Sequence, residues 1–309
     1  MTKAESNIVL FSITLCWASS YIFIKNIPDS ISTFAYLTMT TSVASLILAL
    51  VFFKKLKSFD RQTLWRSFIL AGIICGNLIF ERLGIANIPA STASFIASLN
   101  IVFVPLLLLI FKQKLSLNNV VGIVFILVGL IITSGLRPEE TVNYGVLAMT
   151  AGCLFMAIYI ITVDKFTKKS DPLLLGMGQM FFTAIIGFVL WTIEEPKSFF
   201  SIVYTNELLA NIFLLAFFAK AYAYIMLMYT QKYASPLTVT IMASTEPVVT
   251  MVLALLIPNT FGQTEILTLT NLFGAAFILV GAIFAGTKFL SRKSRIDRVK
   301  HLTDPAHGG

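Results

Sequence analysis

Two charged residues, Lys220 and Glu246, lie inside long apolar stretches of the sequence. Each stretch exceeds the roughly 20 residues that cross about 30 Å of hydrocarbon at 1.5 Å per residue. An antiparallel hairpin that turns near Tyr233 would bring the ammonium and the carboxylate to one depth, close to the bilayer midplane. A charge at the centre of a membrane helix costs about 2.5–3.5 kcal/mol of insertion free energy. We therefore expect both charged residues to be paired or to have a function.

Lys220 and Glu246 fit two roles that the sequence leaves open. In one, they form a buried ion pair that locks the two helices together. In the other, both face a cavity, where an ammonium and a carboxylate complement a zwitterion such as an amino acid. In that role Glu246 could also exchange a proton during transport, which leaves proton coupling open.

The composition identifies a polytopic membrane protein. Hydrophobic residues make up 57% of the 309 residues and charged residues 12%, and the mean hydropathy is +0.86. A soluble domain carries roughly 25% charged residues. The net charge of +8 comes from short basic runs between apolar segments, so it indicates membrane topology and not a nucleic-acid partner.

Ten apolar segments predict ten transmembrane helices. They span about 7–25, 31–53, 67–84, 90–111, 118–135, 143–163, 172–193, 208–230, 235–257 and 265–288. With both termini in the cytoplasm, 18 of the 23 Lys and Arg residues fall on the cytoplasmic side. The exceptions are Lys25, Arg82, Arg137, Lys197 and the intramembrane Lys220. This bias predicts cytoplasmic termini and a multi-pass protein of the cell (inner or plasma) membrane.

The two halves of the chain are related by an internal repeat. Residues 122–129 match residues 274–281 at six of eight positions, and Ala97-Ser98-Leu99-Asn100 aligns with Ala243-Ser244-Thr245-Glu246. Each half holds five segments, so the second half enters the membrane in the opposite orientation. Inverted repeats are typical of secondary transporters, whose substrate site lies near the midplane where the halves meet.

Several motifs resemble the EamA-type members of the drug/metabolite transporter superfamily. The first segment contains Cys16-Trp17-Ala-Ser-Ser-Tyr-Ile-Phe-Ile-Lys25, which is similar to the opening of those proteins. Further similarity covers residues 83–91 and 99–107 in the first half and residues 221–224, 229–236 and 244–248 in the second. Together the motifs span nearly the whole chain in the expected order.

The resemblance implies a ten-helix bundle of two EamA repeats around a central cavity, exporting or exchanging small metabolites. The expected organisation is a first repeat at 1–136, an external linker at 137–142, a second repeat at 143–290 and a basic cytoplasmic tail at 291–309. Two positions depart from the family pattern. Lys112-Gln113 replaces the glycine-glutamate that commonly ends the fourth helix, and Lys220 replaces a small or hydroxyl residue.

Other candidate residues flank the two charges. Pro247 lacks a backbone N–H and should bend the ninth helix beside Glu246, and Pro105 should do the same in the fourth. Asn100, the repeat mate of Glu246, is either a substrate ligand or one interhelical hydrogen bond. Asn77 lies on the third segment, the repeat mate of the eighth, and is a further binding candidate.

Aromatic and charged residues complete the predicted site. Trp17 and Tyr21 share one helix face, and Tyr224 shares a face with Lys220, so all three are predicted to contact the substrate. Glu81 and Arg82 lie near the external end of the third segment, where long side chains reach water, and are predicted to form a gate or interface.

Glycines at 122, 129, 274 and 281 predict close helix packing and leave open a homodimer through the fifth and tenth helices. Gly72 and Gly76 form a further small-residue pattern.

The sequence therefore predicts an all-α secondary transporter of small amphipathic, amino-acid-like metabolites, with membrane lipids and a small-molecule substrate as partners. No cofactor or metal is expected, because both histidines lie in the tail and no nucleotide-binding lysine loop occurs. The alternatives are an intramembrane lipid-modifying enzyme and a non-transporting membrane scaffold or sensor. The enzyme would need a nucleophile and base near one interface, and the scaffold an extended interaction loop.

Overall fold

The computed structural model of the protein describes residues 3–28, 30–88, 90–110, 112, 115–134, 144–257 and 268–286. The predicted linker at 137–142 and the basic tail at 291–309 lie outside these residues. The first half contains α1 (Lys3–Lys25), α2 (Thr33–Val51), α3 (Arg61–Asn87), α4a (Ala90–Ala97), α4b (Asn100–Ile110) and α5 (Leu117–Ser134). The second contains α6 (Tyr144–Thr167), α7 (Pro172–Glu194), α8a (Asn206–Leu214), a π-helical stretch (Leu215–Tyr222), α8b (Ala223–Gln231), α9a (Pro236–Ala243), α9b (Glu246–Leu256) and α10 (Leu269–Gly286).

The predicted all-α membrane fold is confirmed over the described residues. Eight helical segments are long and apolar enough to cross a membrane, counting the parts of α4, α8 and α9 as one segment each. The apolar runs of α5 and α10 are shorter, at Leu117–Gly129 and Leu272–Ala285. The count of ten spans and the cytoplasmic position of both termini remain predictions.

Side chains that accept backbone N–H bonds fix where several helices begin. Ser32, Asp60, Asp171, Thr205 and Ser235 each cap the helix that follows, with oxygen–nitrogen distances of 2.8–3.4 Å. Such caps satisfy N–H groups that have no partner within the helix. At exposed Asp60, a hydrogen bond with the Thr63 side chain also lowers the pKa of the carboxyl group.

The fourth and ninth helices are interrupted at equivalent points of the repeat. α4a ends at Ala97 and α4b begins at Asn100, while α9a ends at Ala243 and α9b begins at Glu246. Across both gaps the backbone changes to tighter i→i−3 bonds, among them Leu99 N to Ile96 O at 2.9 Å and Thr245 N to Met242 O at 3.1 Å. Interrupted helices at membrane depth are tolerated where protein or a cavity surrounds them.

The two prolines differ in their relation to these interruptions. Pro247 follows the gap and occupies the first turn of α9b, where its missing N–H leaves the carbonyl of Ala243 without its usual helical donor. Pro105 lies inside α4b, which is helical from Asn100 to Ile110. The interruption of α4 lies at Ser98–Leu99, where i→i−3 bonds replace the regular helical pattern. A bend of the helix at Pro105 remains a prediction.

Helix contacts follow the inverted repeat. α1 packs on α9b and α8b, and their repeat mates α6, α4b and α3 pack on each other in the same way. α4a contacts α9b, and α4b contacts α9a. The two interrupted helices therefore cross with their gaps at the centre of the bundle.

The glycine-rich faces of α5 and α10 pack against each other within the chain. A Cβ at Gly122 would lie 2.6 Å from the Gly281 carbonyl oxygen, and a Cβ at Gly129 would lie 2.6 Å from that of Gly274. The Phe125 ring stacks on Phe277 and Phe284 beside them. Because this face is already used inside one chain, it is not available for the dimer contact that the sequence left open.

Lys112 has a left-handed backbone conformation, with φ of 59°. Its N–H bonds to the carbonyl of Leu109 at 2.8 Å, which closes the last turn of α4b. Glycine adopts this conformation without steric cost, whereas other residues pay about 1–2 kcal/mol. The position where the family resemblance predicts glycine thus has a glycine-like backbone although the residue is lysine.

We expect Gly281→Ala to destabilise the protein by about 1–3 kcal/mol, because the new methyl group forces α5 and α10 apart. A Cβ at Gly281 would lie 2.7 Å from the Gly122 carbonyl oxygen. Thermal unfolding of the purified protein in detergent measures the effect. Gly72→Ala is the matched control, because a Cβ at Gly72 meets no atom within 4 Å. Equal melting temperatures for the two variants would contradict the proposed backbone contact.

Candidate functional site

One cavity lies where the two halves of the chain meet. Its lining comes from α1, α3 and α4 in the first half and from their repeat mates α6, α8 and α9 in the second. It includes all seven residues predicted to bind substrate: Trp17, Tyr21, Asn77, Asn100, Lys220, Tyr224 and Glu246. The structure thus brings the predicted site together, while a role of these residues in binding remains a prediction.

Lys220 lies in the π-helical stretch of α8, near the middle of this segment. Its side chain is 3% exposed, and Nζ lies 5.9 Å from the centroid of the Tyr224 ring. The N–H of Ala223 reaches the carbonyl of Phe218, a wide i→i−5 turn. Such π-helical turns occur frequently at functional sites, and this one surrounds the buried ammonium.

Lys220 and Glu246 do not form the close ion pair that the sequence left open. Neither Glu81 nor Glu246 has a carboxylate oxygen within 4.0 Å of the Lys220 ammonium. The carboxylate that interacts electrostatically with Lys220 is that of Glu81, on α3. Glu81 lines the same cavity as Lys220 and Glu246, so α3 brings a second carboxylate to the two charges of the predicted hairpin.

Glu246 is the first residue of α9b and is 5% exposed. The Tyr21 hydroxyl of α1 donates a long hydrogen bond to Glu246 Oε2, at 3.4 Å. A carboxylate in the first turn of a helix is stabilised by the free N–H groups and the positive end of the helix dipole. The interruption of α9 therefore creates a favourable position for a buried acidic side chain.

The two asparagines of the cavity have different surroundings. Asn77 Nδ2 donates to the carbonyl oxygen of Gly152 at 3.1 Å, which ties α3 to α6. Asn100 begins α4b, and its buried Oδ1 has no hydrogen-bond partner among the residues that the structure describes. A buried acceptor without a donor is costly, so Asn100 is suited to accept a hydrogen bond from a ligand or water.

Aromatic rings form one wall of the cavity. The ring centroids of Trp17 and Tyr224 lie 5.7 Å apart, and those of Tyr159 and Tyr224 lie 5.8 Å apart. The Tyr159 hydroxyl donates to Gln179 Oε1 at 2.8 Å, which fixes the outer ring of this row. The rings therefore present faces and edges at fixed positions beside Lys220.

Glu81 differs from the interfacial position that we predicted. It lies one helical turn after Asn77 on α3 and lines the cavity with it. The apolar pattern ends near Gly84, but α3 continues to Asn87, so Glu81 lies deeper than the pattern suggests. Its spacing of four residues from Asn77 is the sequence signal that could have assigned it to the cavity.

Arg82 turns inward and does not extend to water. It is 3% exposed and donates to the carbonyls of Ile24 at 3.0 Å and of Ile27 and Pro28 at 3.4 Å. Lys25 in turn donates to the carbonyl of Ile85 at 3.1 Å. Each basic residue thus satisfies carbonyls at or just beyond the end of the other helix, where backbone acceptors lack partners. A gate role for this contact remains a prediction.

The contribution of α6 to the cavity was not predicted. Met149, Gly152, Cys153, Met156 and Ile160 line it at helical spacing. Cys153 Sγ donates to the carbonyl of Ile96, at 3.1 Å. The small residues at 152 and 153 within this apolar helix were the available signal.

The sequence profile of the EamA-like transporter family matches residues 5–135 and 143–287. The chain belongs to the EamA-like transporter family. Two proteins of Archaeoglobus fulgidus, both named uncharacterized transporters, are similar to it. One is 26% identical over 289 residues, which cover 93% of this chain and 87% of the relative. The other is 24% identical over 279 residues, covering 89% and 96%.

A solved crystal structure shares the fold of this EamA-like transporter. It covers 92% of this chain and 98% of its own, with a TM-score of 0.68 at 16% identity. Among the described residues of the transporter, no three His, Cys, Asp or Glu side chains are grouped as a metal site would require. The residues that line the cavity supply charges, amides and aromatic rings.

We expect Arg82→Met to lower the free energy of unfolding of the transporter by about 2 kcal/mol or more, because it removes charge-assisted hydrogen bonds to buried carbonyls. Arg82→Lys should give an intermediate loss, since an ammonium lacks the planar fork of the guanidinium. Thermal unfolding in detergent measures both effects. Arg61→Met, at an exposed position of the same helix, is the control, and an equal loss in that variant would contradict the assigned role.

Proposed function

We propose that the protein is a secondary transporter that carries small amphipathic, amino-acid-like metabolites by alternating access. The observation that carries this proposal is a cavity built from equivalent helices of both halves, lined by the buried Lys220 and Glu246 and by the partly buried Glu81. Intramembrane ionisable residues face substrate or ion pathways by default. Export or exchange across the plasma membrane is the mode that the family favours.

The interrupted helices support a mechanism in which the halves rock around the cavity. α4 and α9 cross at their gaps, and each contributes the first residue of its second part, Asn100 or Glu246, to the lining. Transporters of inverted-repeat architecture bind substrate at such discontinuous helices. Rocking of one half against the other would open these residues to one side of the membrane at a time.

The cavity is narrow in the conformation described. Its volume is about 40 Å³, which is room for a few water molecules. An amino-acid-sized solute therefore requires the lining helices to separate. This requirement agrees with an occluded conformation between the two open ones.

Proton coupling is part of the proposal and depends on Glu246. A carboxylate in an apolar environment is stable only when a proton or a cation neutralises it. Binding of a positively charged group at Glu246 would then release a proton, which couples substrate movement to proton movement in the opposite direction.

The proposal is tested by counterflow of radiolabelled L-amino acids in proteoliposomes. Lys220→Met and Glu246→Gln should each reduce counterflow by more than tenfold, because removing one charge from the cavity leaves the other buried charges less well compensated, at a cost of about 2–5 kcal/mol. Lys197→Met and Glu207→Gln make the same chemical changes at exposed positions and should transport normally.

Normal counterflow in both cavity variants would contradict the assignment of the site. If each single variant misfolds while Lys220→Met/Glu246→Gln folds and transports, the buried charges serve structure alone. Folding is checked by gel filtration in detergent before each assay.

A further inference from the structure

The cavity holds more carboxylates than ammonium groups. Glu81 and Glu246 both line it, and Lys220 is the one basic side chain in the lining that the structure describes. Lys220 can neutralise only one of the two carboxylates, so the three groups together carry one negative charge in excess when all are ionised. Glu246 is the more deeply buried of the two carboxylates, at 5% exposed, so it gains most from an added cation.

The cavity that contains Glu246 offers further groups suited to an ammonium ion. Asn100 Oδ1 is a buried acceptor without a donor among the described residues, and it lines the cavity together with Glu246. Tyr21 bonds to Glu246, and the rings of Trp17 and Tyr224 line the same cavity. An ammonium group carries three donors and no acceptor, and it is attracted to aromatic faces and to carboxylates.

We infer that the site selects primary amines that carry a net positive charge and no free carboxylate, with Glu246 as the counter-ion. The inference rests on the proposed transport function and narrows its substrate class. A monocationic amine brings the buried charges to neutrality, which lowers the cost of burial in an apolar medium. A zwitterion leaves one negative charge in excess, and its carboxylate must compete with Glu81 for Lys220.

Matched ligands separate the two substrate classes. Glycine, L-leucine and L-phenylalanine are each compared with the corresponding amide, which keeps the ammonium and the side chain but lacks the carboxylate. Thermal unfolding of the purified protein is followed against ligand concentration at about pH 6.5, where the α-amino group is charged. A ligand of the folded state raises the melting temperature by mass action.

At least one amide should stabilise the protein at roughly tenfold lower concentration than its amino acid, which corresponds to about 1.4 kcal/mol. Glu246→Gln should lose the response to that amide, and Glu207→Gln, at an exposed position, should keep it. Equal responses to acid and amide, preference for the acid, or no response to any amide would overturn the inference.

Glu81→Gln gives a result that a purely structural role would not produce. It frees Lys220 to bind a carboxylate, so the preference should reverse in favour of the amino acid. An unchanged ratio between amide and acid, with only a lower melting temperature, would contradict the assigned charge balance. If this variant does not fold, Glu81→Gln/Lys220→Met removes both charges together and should retain the preference for the amide, because Glu246 remains.

Counterflow in proteoliposomes separates failure of this inference from failure of the proposed function. Preferential binding of an amide without counterflow would support the cation site and reject transport. Faster counterflow of amino acids than of their amides would support transport and reject the cation site.

Discussion

Burial of three ionisable side chains within the membrane is the constraint on which the structure depends. Lys220, Glu81 and Glu246 come from three different helices and share one cavity. Each would be costly in hydrocarbon, and removal of any one leaves the others less well compensated. The surrounding features follow from this need. A π-helical stretch carries the lysine, an interrupted helix presents Glu246 at its N-terminal end, and Tyr21 bonds to that carboxylate.

The inverted repeat places equivalent helices around the cavity, but these helices carry different side chains in the two halves. The fourth helix of each half, α4 or α9, is interrupted at the same place. The first, third and fourth helices of each half line the cavity. At the equivalent position one half has Asn100 and the other has Glu246. Duplication thus accounts for the shape of the site. Its charges come from Glu81 in the first half and from Lys220 and Glu246 in the second. The substrate class depends on these differences and not on the shared fold.

Helices outside the cavity stabilise the halves by other means. α5 and α10 meet through glycines whose backbones are in contact, so this pair is rigid and apolar. At the opposite extreme, Arg82 and Lys25 hold α1 and α3 together by satisfying carbonyls near their ends. Both contacts adjoin the interrupted helices. Ile126 and Ile278 share an apolar cluster with Ile101 and Ile241, and Ile24 and Ile85 share another with Ala97. A rocking motion of the interrupted helices would therefore have to carry these neighbouring helices with it.

The sequence alone determined the membrane class, the helical segments, the repeat that pairs Asn100 with Glu246 and the seven residues that share the cavity. Hydropathy and spacing encode these features because they depend on local composition and on depth along each helix. Only the tertiary structure decided that Lys220 and Glu246 do not form a close ion pair, that Glu81 joins them in the cavity lining, that Arg82 turns inward, and that α4 is interrupted at Ser98–Leu99. These outcomes depend on which helices are lateral neighbours and on where each helix truly ends, and a pattern along one chain specifies neither.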